Sequence, residues 1–179
     1  MRSSADGIGR GVAVRVLEFL LLFLGVTAAG GGVAMLLGVG DGLLPDDWLA
    51  DIPLIESWVA PGLVLFVGFG LGSLLVAHGI AHRPDWRILR WVDRMTGHHW
   101  AATGAVAVGV GQVTWICLEL VYLPEISWLQ PLYLGIGLAI AGLALSPPVR
   151  PYLVLPITIA HVPGARPDET SGQHSSASG

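Results

Sequence analysis

The chain has 179 residues, of which 53% are hydrophobic and only 12% charged, with a mean hydropathy of +0.68. A water-soluble domain carries roughly twice that charge, so the composition points to the membrane class, in which four spans of about 20 residues would use most of the length. Net charge is −4, all nine basic residues are arginines, and no stretch has the density of positive charge that nucleic-acid binding needs, while a single cysteine, Cys117, excludes an internal disulfide and dithiol chemistry.

In chain order, residues 1–11 read as a short cytoplasmic segment ahead of the membrane. The first apolar run extends from about Val16 to Val39 and closes at Gly40-Asp41-Gly42, too long for the apolar core of a signal peptide. Arg15 and Glu18, three apart in its first turn, are placed to pair across the helix surface. The triplet Gly30-Gly31-Gly32 in its middle predicts a bend or a loosened turn. The second run goes from about Val59 to Ala81 and opens on Ala60-Pro61-Gly62, a proline in the first helical turn, where its missing N–H costs nothing. The third goes from about Trp100 to Leu123 and stops at Pro124; the fourth goes from about Trp128 to Leu145 and stops at Ser146-Pro147-Pro148.

Each run is continuous and apolar on all sides, without the alternation of a barrel strand. A lipid-embedded backbone must pair its own polar groups, so the runs are helices. The expected fold is all-α, a transmembrane four-helix bundle within residues 12–146, followed by a cytoplasmic tail, 147–179. In that tail Pro151 to Val162 is semi-apolar but broken by Pro156, and the Gly-, Ser-, Pro- and acid-rich stretch from Pro163 reads as disordered.

Charge sets the orientation. Asp41, Asp46, Asp47, Asp51 and Glu56 fill the first loop and Glu125 the third, with no base in either. Every arginine lies in the N-terminal segment, the middle loop or the tail, which puts both termini and the middle loop in the cytoplasm. Trp48, Trp58 and Trp128 then mark the outer boundary and Trp86, Trp91 and Trp100 the inner one. Small residues recur on every span: Gly25 and Ala29; Gly68 and Gly72 with Gly70 between; Ala101, Ala105 and Gly109; Gly135 with Ala139 and Gly137 with Ala141. They permit close helix packing within one bundle or a seam for self-association.

Polar residues inside the runs are the candidates for function. Glu119 lies about a turn below the outer boundary, Gln112 seven residues earlier on the same face, and Tyr122 continues that stripe; Gln130 and Tyr133 reach a similar depth on the fourth run. Gln112, Glu119, Tyr122, Gln130 and Tyr133 are thus expected as one polar cluster. It would serve either as a proton or small-molecule site opening outward or as a hydrogen-bonded knot between the last two helices. His78 and His82, four apart, and His98 and His99 could meet at the inner boundary as metal or haem ligands, or serve there as polar tips on apolar bodies. Between the second and third runs, Arg83, Arg87, Arg90 and Arg94 repeat at steps of 4, 3 and 4, with Trp86, Leu89, Val92 and Met95 on another face. This predicts a short amphipathic helix at the interface whose arginines meet anionic lipid headgroups.

The stretch Ile52-Pro53-Leu54 through Trp58-Val59-Ala60-Pro61-Gly62-Leu63, then Trp115-Ile116 with Glu119, then Trp128-Leu129-Gln130-Pro131-Leu132-Tyr133 resembles a group of small bacterial four-span membrane proteins over roughly residues 11–146. The layout of a span, an acidic outer loop and a Pro-Gly entry to the second span is similar to that of DoxX-like four-helix proteins. The resemblance implies the architecture and a bacterial cytoplasmic membrane, and no activity or site. With no nucleotide loop, cysteine pair, nucleophile constellation or cofactor motif, the sequence reads as a non-enzymatic bundle without a cofactor. It would act as an accessory subunit of a membrane assembly or as a self-associating protein. A transporter or channel using Glu119, or a histidine-ligated haem or metal protein, are the alternatives.

Overall fold

In the computed structural model, residues 2–38, 57–84, 86–96, 99–122, 127–147 and 149 are described, and all their regular structure is helical. The first helix, α1 (Arg2–Leu36), is one uninterrupted α-helix of 35 residues. It begins at Arg2, well before the apolar run. Its apolar part, Gly11–Leu36, is joined by α2 (Val59–His82) and α4 (Trp100–Tyr122) as the three helices long and apolar enough to cross a membrane. The shorter α5 (Leu129–Leu145) is apolar throughout and ends where Ser146 turns extended and its hydroxyl donates to the Leu143 carbonyl at 2.7 Å. The short α3 (Arg90–Thr96), preceded by a 3-10 turn at Arg87–Leu89, lies between α2 and α4.

The four long helices form a ring in which α1 packs on α2, α2 on α4, α4 on α5 and α5 on α1. The core-facing residues of α1 are Leu17, Leu21, Leu24 and Ala28, at steps of 4, 3 and 4, which keep one narrow stripe turned inward. Opposite them stand Val76, Ala77 and Ile80 of α2, Ala101 and Ala105 of α4, and Ile136, Ile140 and Ala144 of α5. Hydroxyls inside the helices bond to their own backbone: Thr27 donates to the Phe23 carbonyl at 2.8 Å and Thr114 to that of Val110 at 3.0 Å. Such a bond back to the preceding turn is the common way for a threonine inside a helix to satisfy its hydroxyl. Arg15 and Glu18, by contrast, form no ion pair among the described residues; the arginine is exposed.

Two glycine seams join the ring. Between α1 and α2, a Cβ at Gly32 would lie 2.6 Å from the Phe66 nitrogen and 2.8 Å from the Gly62 carbonyl oxygen, and one at Gly70 would lie 3.0 Å from Ala29. Between α4 and α5, a Cβ at Gly109 would lie 2.7 Å from the Ala141 nitrogen and 2.8 Å from the Gly137 carbonyl oxygen. Backbone meets backbone at both seams, and only hydrogen fits. The Gly68-x-x-x-Gly72 pair is not part of a seam: Gly68 has only its own helix's Val64 nearby, and Gly70 between them makes the contact.

The irregular turn also lies elsewhere than the glycine triplet predicted. α1 runs through Gly30-Gly31-Gly32 without a break, and the loosened winding is in the facing helix, where Val64–Leu71 form eight residues of π-helix. Gly62, Phe66, Gly70 and Leu74, every fourth residue of α2, all meet α1, with Leu65 beside them against Gly31. An α-helix turns about 100° per residue, so a four-residue step overshoots by about 40° and three such steps would carry the stripe about 120° off the contact. The wider π winding removes that drift and keeps all four positions on α1.

Bulk at the first seam therefore separates the helices. Gly32→Val is expected to destabilise the folded protein by about 1–3 kcal/mol. Gly30→Ala, with open space around it, is expected to leave stability unchanged or slightly raised. Thermal unfolding in detergent, read by circular dichroism, checks both.

Candidate functional site

At the end of the bundle that carries the arginines, α2 stops in a left-handed residue. Arg83 has φ 48°, its N–H donates to the Gly79 carbonyl at 3.0 Å, and Pro84 follows. A non-glycine residue in this region is strained, more so before a proline. The turn drops Trp86 onto Trp100, with ring centroids 5.4 Å apart and planes within 11°. Trp100 is buried, and its indole fills the space over Gly79, where a Cβ would come within 2.4 Å of it; its Nε1–H donates to the Pro84 carbonyl at 3.5 Å. Trp100 is thus a packing wedge and not a member of an exposed aromatic belt.

The histidines extend this stack. His78 lies over Trp86 at 6.3 Å and over His82 at 4.4 Å, the two imidazole planes within 21°. Ring-nitrogen lone pairs lie in the ring plane, and two stacked, nearly parallel planes cannot converge on one metal between them. His99 accepts the Ala101 N–H on its Nδ1 at 3.3 Å and so helps start α4, while His98 lies outside the described residues. Among the described residues no group of three potential ligands is placed to hold a metal.

The amphipathic helix is present but phased differently from the expected pattern. Leu89 and Val92 pack on the core, whereas Met95 is 78% and Trp91 62% exposed. Three-residue steps fall about 60° short of a full circle each time, so Met95 has swung away from the face of Leu89. Trp91 and Met95, four apart, form an outward apolar ridge beside the exposed Arg87 and Arg94. Arg83 is exposed at the turn before it; the Arg90 side chain lies outside the description.

Toward the opposite end, each of the five expected polar residues has its own setting. Glu119 is half-buried and accepts the indole N–H of Trp115, one turn below it on α4. Phe69 of α2 reaches Trp115 with ring centroids 6.0 Å apart and planes tilted 60°. Gln112 is buried against α5, its Cβ 3.2 Å from where a Cβ would sit on Gly137, and its Oε1 has no hydrogen-bond partner among the described residues. The Ser73 hydroxyl of α2 is likewise buried and unpartnered there.

Gln130 caps its own helix. Its Oε1 accepts the Ser127 N–H at 2.7 Å, and Ser127 Oγ accepts the Leu129 N–H at 3.1 Å. This is a variant of the capping box, written in the sequence as Ser127-x-x-Gln130, with the Ser127 hydroxyl taking the N–H of Leu129 rather than that of Gln130. Tyr133 stacks on Phe23 of α1 at 6.5 Å, and Tyr122 stands exposed at the end of α4. Phe69 and the Trp86–Trp100 stack had no local signal: each contact joins residues far apart in the chain.

If the aromatic end is held by Trp100, then Trp100→Ala is expected to cost about 3–5 kcal/mol. The double change His78→Ala/His82→Ala, at exposed positions, is expected to stay within about 1 kcal/mol. Unfolding curves with and without a chelator decide the matter, since a metal-bound pair would make only the wild type sensitive to the chelator.

No family model, curated protein or solved structure matches this chain.

Proposed function

We propose that the chain is a multi-pass protein of a bacterial cytoplasmic membrane. In this reading its four helices span the bilayer with both termini and α3 on the cytoplasmic side, and it works as a non-enzymatic accessory or self-associating bundle. The supporting observation is the apolar exterior. Mid-helix residues on all four long helices face outward, with Val26 64%, Val67 53%, Val110 53% and Leu138 57% exposed. Such a surface needs lipid or protein around it. The 17 residues of α5 reach about 25 Å, enough for a slightly thinned bilayer. The arginines at one end and the acids of the loops at the other favour this orientation. On the cytoplasmic side, Arg87 and Arg94 would meet lipid phosphates while Trp91 and Met95 enter the headgroup boundary.

Glu119 supports a second reading, a proton or small-molecule path. A carboxylate on an apolar helix of spanning length, bonded to a neutral indole, is a functional feature by default. Loss of solute or proton flux in proteoliposomes on Glu119→Gln, with the fold intact, would support it; unchanged flux would remove it.

Topology is tested with cysteines placed one at a time in a Cys117→Ala background. A membrane-impermeant maleimide applied to intact cells is expected to label a cysteine at Ser57, and to label one at Ser4 or Ser176 only after permeabilisation. The reverse pattern overturns the orientation. Native mass spectrometry of gently released protein tests the accessory role. A bound second polypeptide or a second copy is expected; a chain that always flies alone counts against it. Retention of anionic phospholipid in the same spectra is expected to fall on Arg87→Gln/Arg94→Gln.

A further inference from the structure

The two glycine seams make α1 with α2, and α4 with α5, into pairs whose backbones touch. The pairs themselves meet through side chains. Near the arginine-bearing end Trp100 fills the space over Gly79, and Val76 the space over Gly104. Farther along, Phe69 meets Trp115 with ring centroids 6.0 Å apart, and Phe23 meets Tyr133 at 6.5 Å. The chain passes from one pair to the other only once, between His82 and Trp100, at the end closed by the Trp86–Trp100 stack. The other two connections, α1 to α2 and α4 to α5, each stay within a pair. Parting the pairs at the opposite end therefore breaks neither seam and pulls on no connection between them.

Two buried polar groups stand where the pairs come together. Ser73 is wholly buried and Gln112 is 2% exposed, and neither the Ser73 Oγ nor the Gln112 Oε1 has a hydrogen-bond partner among the described residues. At about 100° per residue, Ser73 lies about 60° round α2 from Val76, which faces α4, and about 100° from Leu74, which faces α1. Gln112 lies about 60° round α4 from Gly109, which faces α5, and about 100° from Gly111, which faces α2. Both therefore sit on the inner faces of their pairs, toward the middle of the ring. A buried polar atom without a partner is unfavourable, and it regains hydrogen bonds when its surface meets water. The closed ring carries that cost at Ser73 and Gln112, and opening relieves it. We propose that the bundle is a hinged clamp. The two pairs turn as rigid bodies about the Trp86–Trp100 stack and part at the opposite end, where the Phe69–Trp115 and Phe23–Tyr133 contacts separate. Water then reaches Gln112 first and Ser73, nearer the hinge, after it. Neither reading of function above is needed for this motion.

Distances between spin labels on outward-facing residues test the hinge, with the full chain in nanodiscs and Cys117→Ala as background. Three sets of paired cysteines, all at exposed positions, are labelled and read by pulsed electron resonance. Val33 with Val67 spans the α1–α2 seam. Val67 with Val121 spans the two pairs toward the end that parts, and Ala81 with Ala107 spans them nearer the hinge. One distance is expected for the first and third sets, and a second, longer distance in a fraction of the Val67–Val121 set. That fraction is expected to fall about tenfold or more on Ser73→Ala/Gln112→Leu, which removes the groups that water would satisfy. Ser73→Ala alone is expected to lower it several-fold and to melt at or above the wild-type temperature. A single distance in all three sets, a second distance in the Ala81–Ala107 set as well, or an unchanged fraction in a folded double variant would each overturn the hinge. A clear fall in melting temperature on Ser73→Ala would show that the hydroxyl is already satisfied in the closed ring, and would overturn it too. If the double variant fails to fold, Ser73→Ala and the three distance sets decide alone.

Discussion

Everything in this bundle depends on backbone reaching backbone at two seams. In a bilayer, apolar side chains gain little by leaving lipid for protein, so helices associate through packing contacts made at short range. The Gly32–Gly62 crossing and the Gly109–Gly137 crossing supply those contacts, each with room for a hydrogen and nothing more. The seams divide the ring into two tight pairs, α1 with α2 and α4 with α5. How the pairs meet is a separate matter, and the two ends of the molecule solve it differently.

At the arginine-bearing end the pairs are locked by an indole. Trp100 enters over Gly79, Trp86 covers it, and His78 and His82 continue the stack outward. The left-handed turn at Arg83 is what brings Trp86 back over the helix it has just left. Toward the other end the contacts between the pairs, among the described residues, are of another kind. There Phe69 of α2 meets Trp115 of α4 and Phe23 of α1 meets Tyr133 of α5, and Glu119 lies one turn beyond Trp115. One end is closed by a stack of indoles and imidazoles, and the carboxylate lies toward the other. That asymmetry, more than any single residue, sets the second functional reading beside the first.

The all-helical fold was legible because long, uniformly apolar runs leave the chain no other way to satisfy its backbone. The close packing of Gly109 and Gly137 was legible as small-residue spacing, since each lies on a regular α-helix where steps of four share a face. The same rule misled at Gly68 and Gly72, because the winding there is not α-helical and the face had moved to Gly70. It misled again at Met95, where the 3-10 turn and three-residue steps shifted the stripe. For the polar residues, the sequence showed which side chains interrupt the apolar runs but not which partners they choose. Gln130 took a backbone N–H of its own helix start, a choice that Ser127-x-x-Gln130 announces to a reader looking for caps rather than clusters. The contact of Phe69 with Trp115 was invisible, since Phe69 is one apolar residue among many until α4 is placed against it.

The π segment gives α2 a fixed length between two fitted ends. Gly62 is held on Gly32 at one end and Gly79 under Trp100 at the other, with Val64–Leu71 between them. A π-helix differs from an α-helix by carrying an extra residue in its turns, and each residue accounts for about 100° of rotation in the α form. A chain one residue shorter here would regain ordinary hydrogen bonding, but its two halves would be turned against each other. Either the seam or the indole slot would then miss its partner. The loosened stretch therefore acts as a phase adaptor, and this span can exchange one apolar residue for another far more easily than it can gain or lose one.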